Sequence, residues 1–236
     1  GQGAVGALTR RGRGQDVVRR QRTTGVHHMI FDIGRDEGGP VPAVPPPGWV
    51  RASRTVLSGV VRRPDDLRVL CELGFPQGPF RMAPPLAAED CTVERSTLVH
   101  LGDEVEVVAR EFGELLLFGA VQGWYLFLHL GDGTVHAFPD EIALFPGDFR
   151  PVHADLSSLG HLLGLLHRRK LRVARECAGG DQRAPYAELA RFADGVRAEF
   201  DGADPAVFSE DSPWTYFFGD LEGGLYGAYY YRLAGE

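Results

Sequence analysis

The chain has 236 residues and a net charge of −7, with 44% hydrophobic and 24% charged residues. That length suits one large domain or one domain with a sizeable appendage, and the composition is ordinary for a globular protein. No stretch approaches the 18 uncharged apolar residues of a membrane-spanning helix, the basic N-terminus lacks a signal peptide's apolar core, and Cys71, Cys91 and Cys177 are too few and too scattered for a disulfide framework. These features predict a cytoplasmic protein with reduced thiols.

Charge is unevenly spread. Residues 1–65 hold 11 arginines against 5 acids, a balance of +6, whereas residues 66–236 hold 14 bases against 27 acids, a balance of −13. An acidic body favours basic partners and disfavours nucleic acid. Residues 1–25, rich in Gly and Arg (Arg10, Arg11, Arg13, Arg19, Arg20, Arg22), carry too little apolar surface to bury a core and predict disorder or a short surface helix. They are the one segment suited to nucleic acid, yet no aromatic residue is present to stack on a base. VHHMIFDI (26–33) predicts a short strand, and GGPVPAVPPPG (38–48), with five prolines, a linker. The domain therefore spans 49–236, preceded by a basic, Gly/Pro-rich extension over 1–48.

RASRTVLSGVV (51–61) predicts a strand. Pro64 with Asp65 and Asp66 opens a helix carrying Leu67, Leu70, Cys71 and Leu73 on its apolar stripe, closed by Gly74 and Pro76. Phe75–Pro85 reads as loop, and Thr97–Leu101 and Val105–Val108 as strands around a Gly102-Asp103 turn. The strongest strands follow: Leu115–Phe118, Trp124–Leu130 and Val135–Phe138, the last two joined by a hairpin at Gly131-Asp132-Gly133. Asp155 or Ser157 caps a helix from Leu156 with Leu159, Leu162, Leu163 and Leu166 on one face, and His167 to Lys170 crowd its C-terminal end. A second helix, Tyr186–Phe200, buries Leu189, Phe192, Ala193, Val196 and Phe200; aromatic stretches at Trp214–Phe218 and Leu225–Tyr231 close the chain. The order of elements is that of an α+β fold: a curved, mainly antiparallel sheet with flanking helices.

Motifs for chemistry are sparse. His27 and His28, beside Asp32, are adjacent on a predicted strand and point to opposite faces, so they do not converge on one ion. His129, His136, His153 and His161 make a zinc-like set only if the fold gathers them, and no acid or thiol falls at ligand spacing. Cys71 reads as a small buried hydrophobe, Cys91 and Cys177 have no histidine nearby in sequence, and Ser157-Ser158 reads as a helix cap without the G-x-S-x-G elbow. The glycines at 34, 38 and 39 do not follow a phosphate-binding pattern. No cofactor, no metal and no enzymatic activity are predicted.

Five stretches occur in a telling order: LCELGFPQGPF (70–80), EFGELLLFG (111–119), GWYLFLHLGDGTVHAFP (123–139), HADLSSLGHLLGLL (153–166) and YAELARFADGVRAEFDGADPAVFSEDSPWTYFFGDLEGGL (186–225). In this order the chain resembles the SUKH superfamily, most closely its SUKH-4-type bacterial immunity proteins, over residues 66–226. The resemblance implies a single α+β domain that binds and blocks a protein toxin of a polymorphic toxin system. The alternative it leaves open is a viral or regulatory interaction module whose basic arm contacts nucleic acid or a second partner. On the toxin reading, a basic nuclease or deaminase meets acids clustered at two hairpins, with exposed aromatics beside them. The expected contact residues are Asp103, Glu104, Glu106, Trp124, Tyr125, Asp132, Asp140 and Glu141, in a set that Glu111, Glu114 and Asp148 extend.

Overall fold

The computed structural model describes residues 49–91, 104–121, 123–139, 149–177 and 184–222. Strand β1 (Trp49–Val50) pairs antiparallel with β2 (Phe75–Pro76); between them lie α1 (Arg54–Leu57), α2 (Pro64–Arg68) and a π-helical turn (Val69–Leu73). The segment expected as a strand at 51–61 is thus mostly helix and turn. The Ser53 hydroxyl accepts a hydrogen bond from the Val56 amide at 3.4 Å, and Leu57 drops fully into the core. A cap of this kind is worth about 1 kcal/mol, more than the small strand preference of Thr55 and Val56. Pro64 opens α2 with Asp65 and Asp66 in its first turn, as expected. Leu70 is buried, Leu67, Cys71 and Leu73 are half-buried, and the Gly74 amide closes the π turn on the Val69 carbonyl at 2.8 Å.

The main sheet has six strands: β3 (Phe80–Met82), β4 (Val107–Arg110), β5 (Gly113–Val121), β6 (Trp124–His129), β7 (Val135–Pro139) and β8 (Arg150–His153). All pairings are antiparallel, in the order β3-β5-β6-β7-β8, and β4 shares the outer edge of β5 with β3. β4 takes the first half of β5 (Val107 opposite Leu116) and β3 the second (Phe80 opposite Val121), with a bulge between Leu117 and Gly119. β3 lies inside what the sequence presents as proline-rich loop. Three residues are too few to announce a strand; docking decides it, because Gly119 leaves room for the Phe80 ring and a Cβ there would strike it. β4 runs from Val107 to Arg110, two residues later than the strand expected over Val105–Val108, and turns at Glu111-Phe112 into β5; the expected Gly102-Asp103 turn lies outside the described residues.

Register sorts the side chains into two faces. Trp124, Leu126 and Leu128 lie opposite Pro139, Ala137 and Val135 on one face, which meets the helices; Tyr125 and Phe127 lie opposite Phe138 and His136 on the other, where Phe149 packs on Phe127 and Phe138. Helix α3 (Leu156–Cys177) packs on β2, β8, the π turn and α4 (Ala184–Ala203), and α5 (Pro213–Glu222) packs on α4. Asp155 caps α3, accepting from the Ser158 amide at 2.8 Å, and all four leucines of the expected stripe are buried, each contributing roughly 2 kcal/mol by removal from water. α3 runs past Lys170 to Cys177, so His167 to Arg169 lie within the helix and not at its dipole-favoured end. In α4, Leu189, Ala193, Val196 and Phe200 are buried and Phe192 half-buried, in line with the periodicity. The fold class is α+β, as read from the order of elements. The expected elements at Gln15–Arg22, 26–33, Thr97–Leu101 and Leu225–Tyr231 lie outside the described residues.

Candidate functional site

Two turns meet at one end of the sheet. Val108, Leu115 and His129 sit side by side on β4, β5 and β6, so the β4–β5 turn (Glu111-Phe112) and the β6–β7 turn (Leu130 to Gly133) are neighbours. The Leu130 amide donates to the Glu114 carbonyl at 2.9 Å, tying them together. Glu111, Phe112, Glu114 and Asp132 are exposed at this end.

His129 holds the turns in place. Its Nε2 donates to the Phe112 carbonyl at 2.8 Å, which fixes the proton on that nitrogen. Nδ1 lies 2.7 Å from an Asp132 carboxylate oxygen and 3.1 Å from the Asp132 amide, so a neutral ring accepts from the amide and a charged ring donates to the carboxylate. Gly113, at φ 134°, lets the chain pass over this ring, since a Cβ would land on Nε2. The same Asp132 oxygen also accepts from the Thr134 amide at 3.0 Å and hydroxyl at 2.7 Å. Burial raises the Asp132 pKa, but the Thr134 donors and His129 outweigh it, and the carboxyl sits below the usual range. His136 stacks under Phe112 (5.4 Å between centroids, 15°), contacts the Thr134 hydroxyl at 2.9 Å, and is pushed down to about 4 by desolvation and then by the neighbouring His129.

The expected contact residues that are described do not lie in one patch. Asp132 belongs to the turn end. Glu104 and Glu106 are exposed before β4, with the Glu106 carbonyl bonded to the Leu117 amide halfway along β5. Trp124 and Tyr125 sit at the far end of β6 from His129, roughly 17 Å away at ~3.4 Å per strand residue. Trp124 is only 2% exposed: its strand parity turns it to the helix face, so it is a core residue and not the exposed aromatic expected. The aromatic at the surface there is Tyr216 of α5, 41% exposed and stacked on Trp124 at 6.3 Å. Its hydroxyl donates to Asp211, a residue held at φ 63°, which also pairs with Arg150 at 3.3 Å. Tyr125 is half-buried on the opposite face, and Asp103, Asp140 and Glu141 lie outside the described residues. Sequence order separates Trp124 from Tyr216 by more than ninety positions, so no local signal pairs them.

The histidines go separate ways. His129 and His136 are 5.9 Å apart, His161 binds Glu199 at 2.5 Å on the helices, and His153 is sealed beneath Trp214. Among the described residues no three His, Cys, Asp or Glu converge as metal ligands.

His153 does form a Ser-His-Asp constellation, with Ser158 and Asp204. The Trp214 indole N–H donates to His153 Nε2 at 2.7 Å, His153 Nδ1 faces the Ser158 hydroxyl at 2.9 Å, and that hydroxyl donates to Asp204 at 2.5 Å. The Ser158 proton is therefore committed to a carboxylate, and no base is free to take it. His153 and Ser158 are fully buried and Asp204 is 3% exposed, so no substrate reaches the hydroxyl. The cluster clamps β8, α3, the end of α4 and α5 together.

The family model described as SUKH-4 immunity protein matches residues 32–220, beginning well before the region of resemblance read from the sequence. No curated protein and no solved structure matches the chain.

Proposed function

The chain belongs to the SUKH-4 immunity protein family, and from that premise we propose that it binds a cognate protein toxin and neutralises it by occlusion, without catalysis of its own. The family implies a toxin partner. The finer reading is a cytoplasmic antidote to a basic nuclease or deaminase of a polymorphic toxin system, and the observation that carries it is the charge pattern. Residues 66–236 hold a balance of −13, and Glu104, Glu106, Glu111, Glu114 and Asp132 are all exposed along β4 and the paired turns. Asp103, Asp140 and Glu141 extend the same acidic runs in sequence. A negative edge attracts a positive partner before contact and speeds its encounter. Phe112, 42% exposed and held flat on His136, offers a rigid aromatic anchor inside that field.

Co-expression with the product of the neighbouring gene tests the reading. The expected result is a one-to-one complex with a basic toxin domain that loses its activity when bound. Changing the five exposed acids to Gln or Asn together should slow association about tenfold or more at low salt and flatten its salt dependence. An unchanged association rate would remove the electrostatic part of the proposal; recovery of the chain alone would remove the toxin itself.

A further inference from the structure

Where α3 and α4 face each other they leave an open cavity of about 430 Å³, lined by Leu165, Arg168, Arg169, Glu188, Arg191 and Phe192. Among the described residues three guanidinium groups meet one carboxylate here, on a chain whose net charge is −7. Arg169 is the innermost. Its side chain is 10% exposed, one terminal nitrogen donates to Glu188 at 2.7 Å, and the guanidinium lies 5.9 Å from the centre of the Phe192 ring. Its Nε–H is buried and has no acceptor among the described residues. A buried donor left unpaired costs about 1–3 kcal/mol, so such groups call for a reason. Arg168 and Arg191 stand exposed on either side, and neither has an ion pair or hydrogen bond among the described residues.

We infer that this cavity is a binding site for an oxyanion, a phosphate or carboxylate group on a ligand whose apolar part rests on Leu165 and Phe192. A guanidinium presents parallel donors that match a two-oxygen anion, and Glu188 occupies only part of the Arg169 fork. Among the described lining residues Glu188 is the one carboxylate beside three guanidinium groups, so the described lining is net positive. The apolar wall formed by Leu165 and Phe192 excludes water from one side, which strengthens a charge-assisted bond made beside it. This site is opposite in sign to the acidic turns and is read on the isolated chain, so it stands or falls independently of toxin binding.

The test is calorimetric titration of the full chain at low ionic strength with inorganic phosphate and, separately, with a short peptide carrying adjacent glutamates. Saturable binding of at least one is expected. The double variant Arg168→Gln/Arg191→Gln should weaken it about a hundredfold, each lost charge-assisted contact being worth roughly tenfold. Both changes are at exposed positions and should leave the thermal midpoint in place; the exposed Arg62→Gln serves as a charge-matched control with unchanged affinity. Phosphate binding without peptide binding assigns the cavity to a phosphorylated small molecule, and peptide binding assigns it to an acidic segment of a protein. Saturation by neither up to tens of millimolar, or affinity untouched in the double variant, overturns the inference.

Discussion

Two polar clusters in this molecule use the same ingredients and do different work. At the sheet's turn end, His129, His136, Asp132 and Thr134 join two hairpins under the exposed ring of Phe112. Beneath α5, His153, Ser158 and Asp204 join a strand and three helices under the buried ring of Trp214. Each contains imidazole, hydroxyl and carboxylate. The Asp132 side chain is 60% exposed and its carboxyl sits below the usual range, whereas Asp204 is nearly sealed and desolvation raises its pKa despite bonds from Ser158 and Ala154. Residue types alone do not assign a role. Access to water does, because it decides whether a charge is cheap enough to present to a partner.

The sharpest way to break the contrast is Asp204→Ala, which strips the acceptor from both the Ser158 hydroxyl and the Ala154 amide in a dry interior. A loss of about 3 kcal/mol in urea-denaturation stability is expected, from two donors left unpaired at about 1–3 kcal/mol each. Acid titration gives the next largest effect. His136 is held down to about 4 and His153 to about 3, by burial in each case, against an ordinary 6.5. The unfolded chain therefore binds protons that the folded chain refuses. Stability contributed by each ring is whole above pH 6.5 and declines as pH falls, down to about 4 for His136 and about 3 for His153, by at most about 1.4 kcal/mol per pH unit. Comparing wild type with His136→Gln cancels the other groups: the variant should lose less stability between pH 6 and 4, and equal slopes would show that burial does not govern that ring. The smallest change is Asp132→Asn. With Asp132 exposed and its amide oxygen still able to serve Thr134, the cost should stay below about 1 kcal/mol in the same denaturation assay.

Much of this fold is legible from periodicity. β5, β6 and β7 announce themselves as apolar runs around a Gly-Asp-Gly turn, and α3 and α4 as leucine and aromatic stripes, because each buries a continuous face. What escapes is set by a local cap or by contacts distant in sequence. α1 is decided by one serine cap and β3 by the space above Gly119, while α3 runs on past its basic run to Cys177. For the candidate site the acids were readable and the geometry was not. Trp124 reads as an exposed anchor until the register turns it inward, and Phe112 and His136 reveal their stacking only when two turns 20 residues apart are placed together.

The bulge at Phe118 has a consequence for the whole sheet. It acts as a dislocation: the in–out parity of β5 before it is reversed after it, with Leu117 facing Phe127 and Gly119 facing Leu126 although both are odd-numbered. The extra ring joins Phe75 and Phe80 in one aromatic knot. β4 and β3 thus ride on two half-strands of opposite phase. Neither can slide past the defect onto the other's berth without turning its apolar side outward, so a shared edge that ought to be prone to slippage is locked in place by a single phenylalanine.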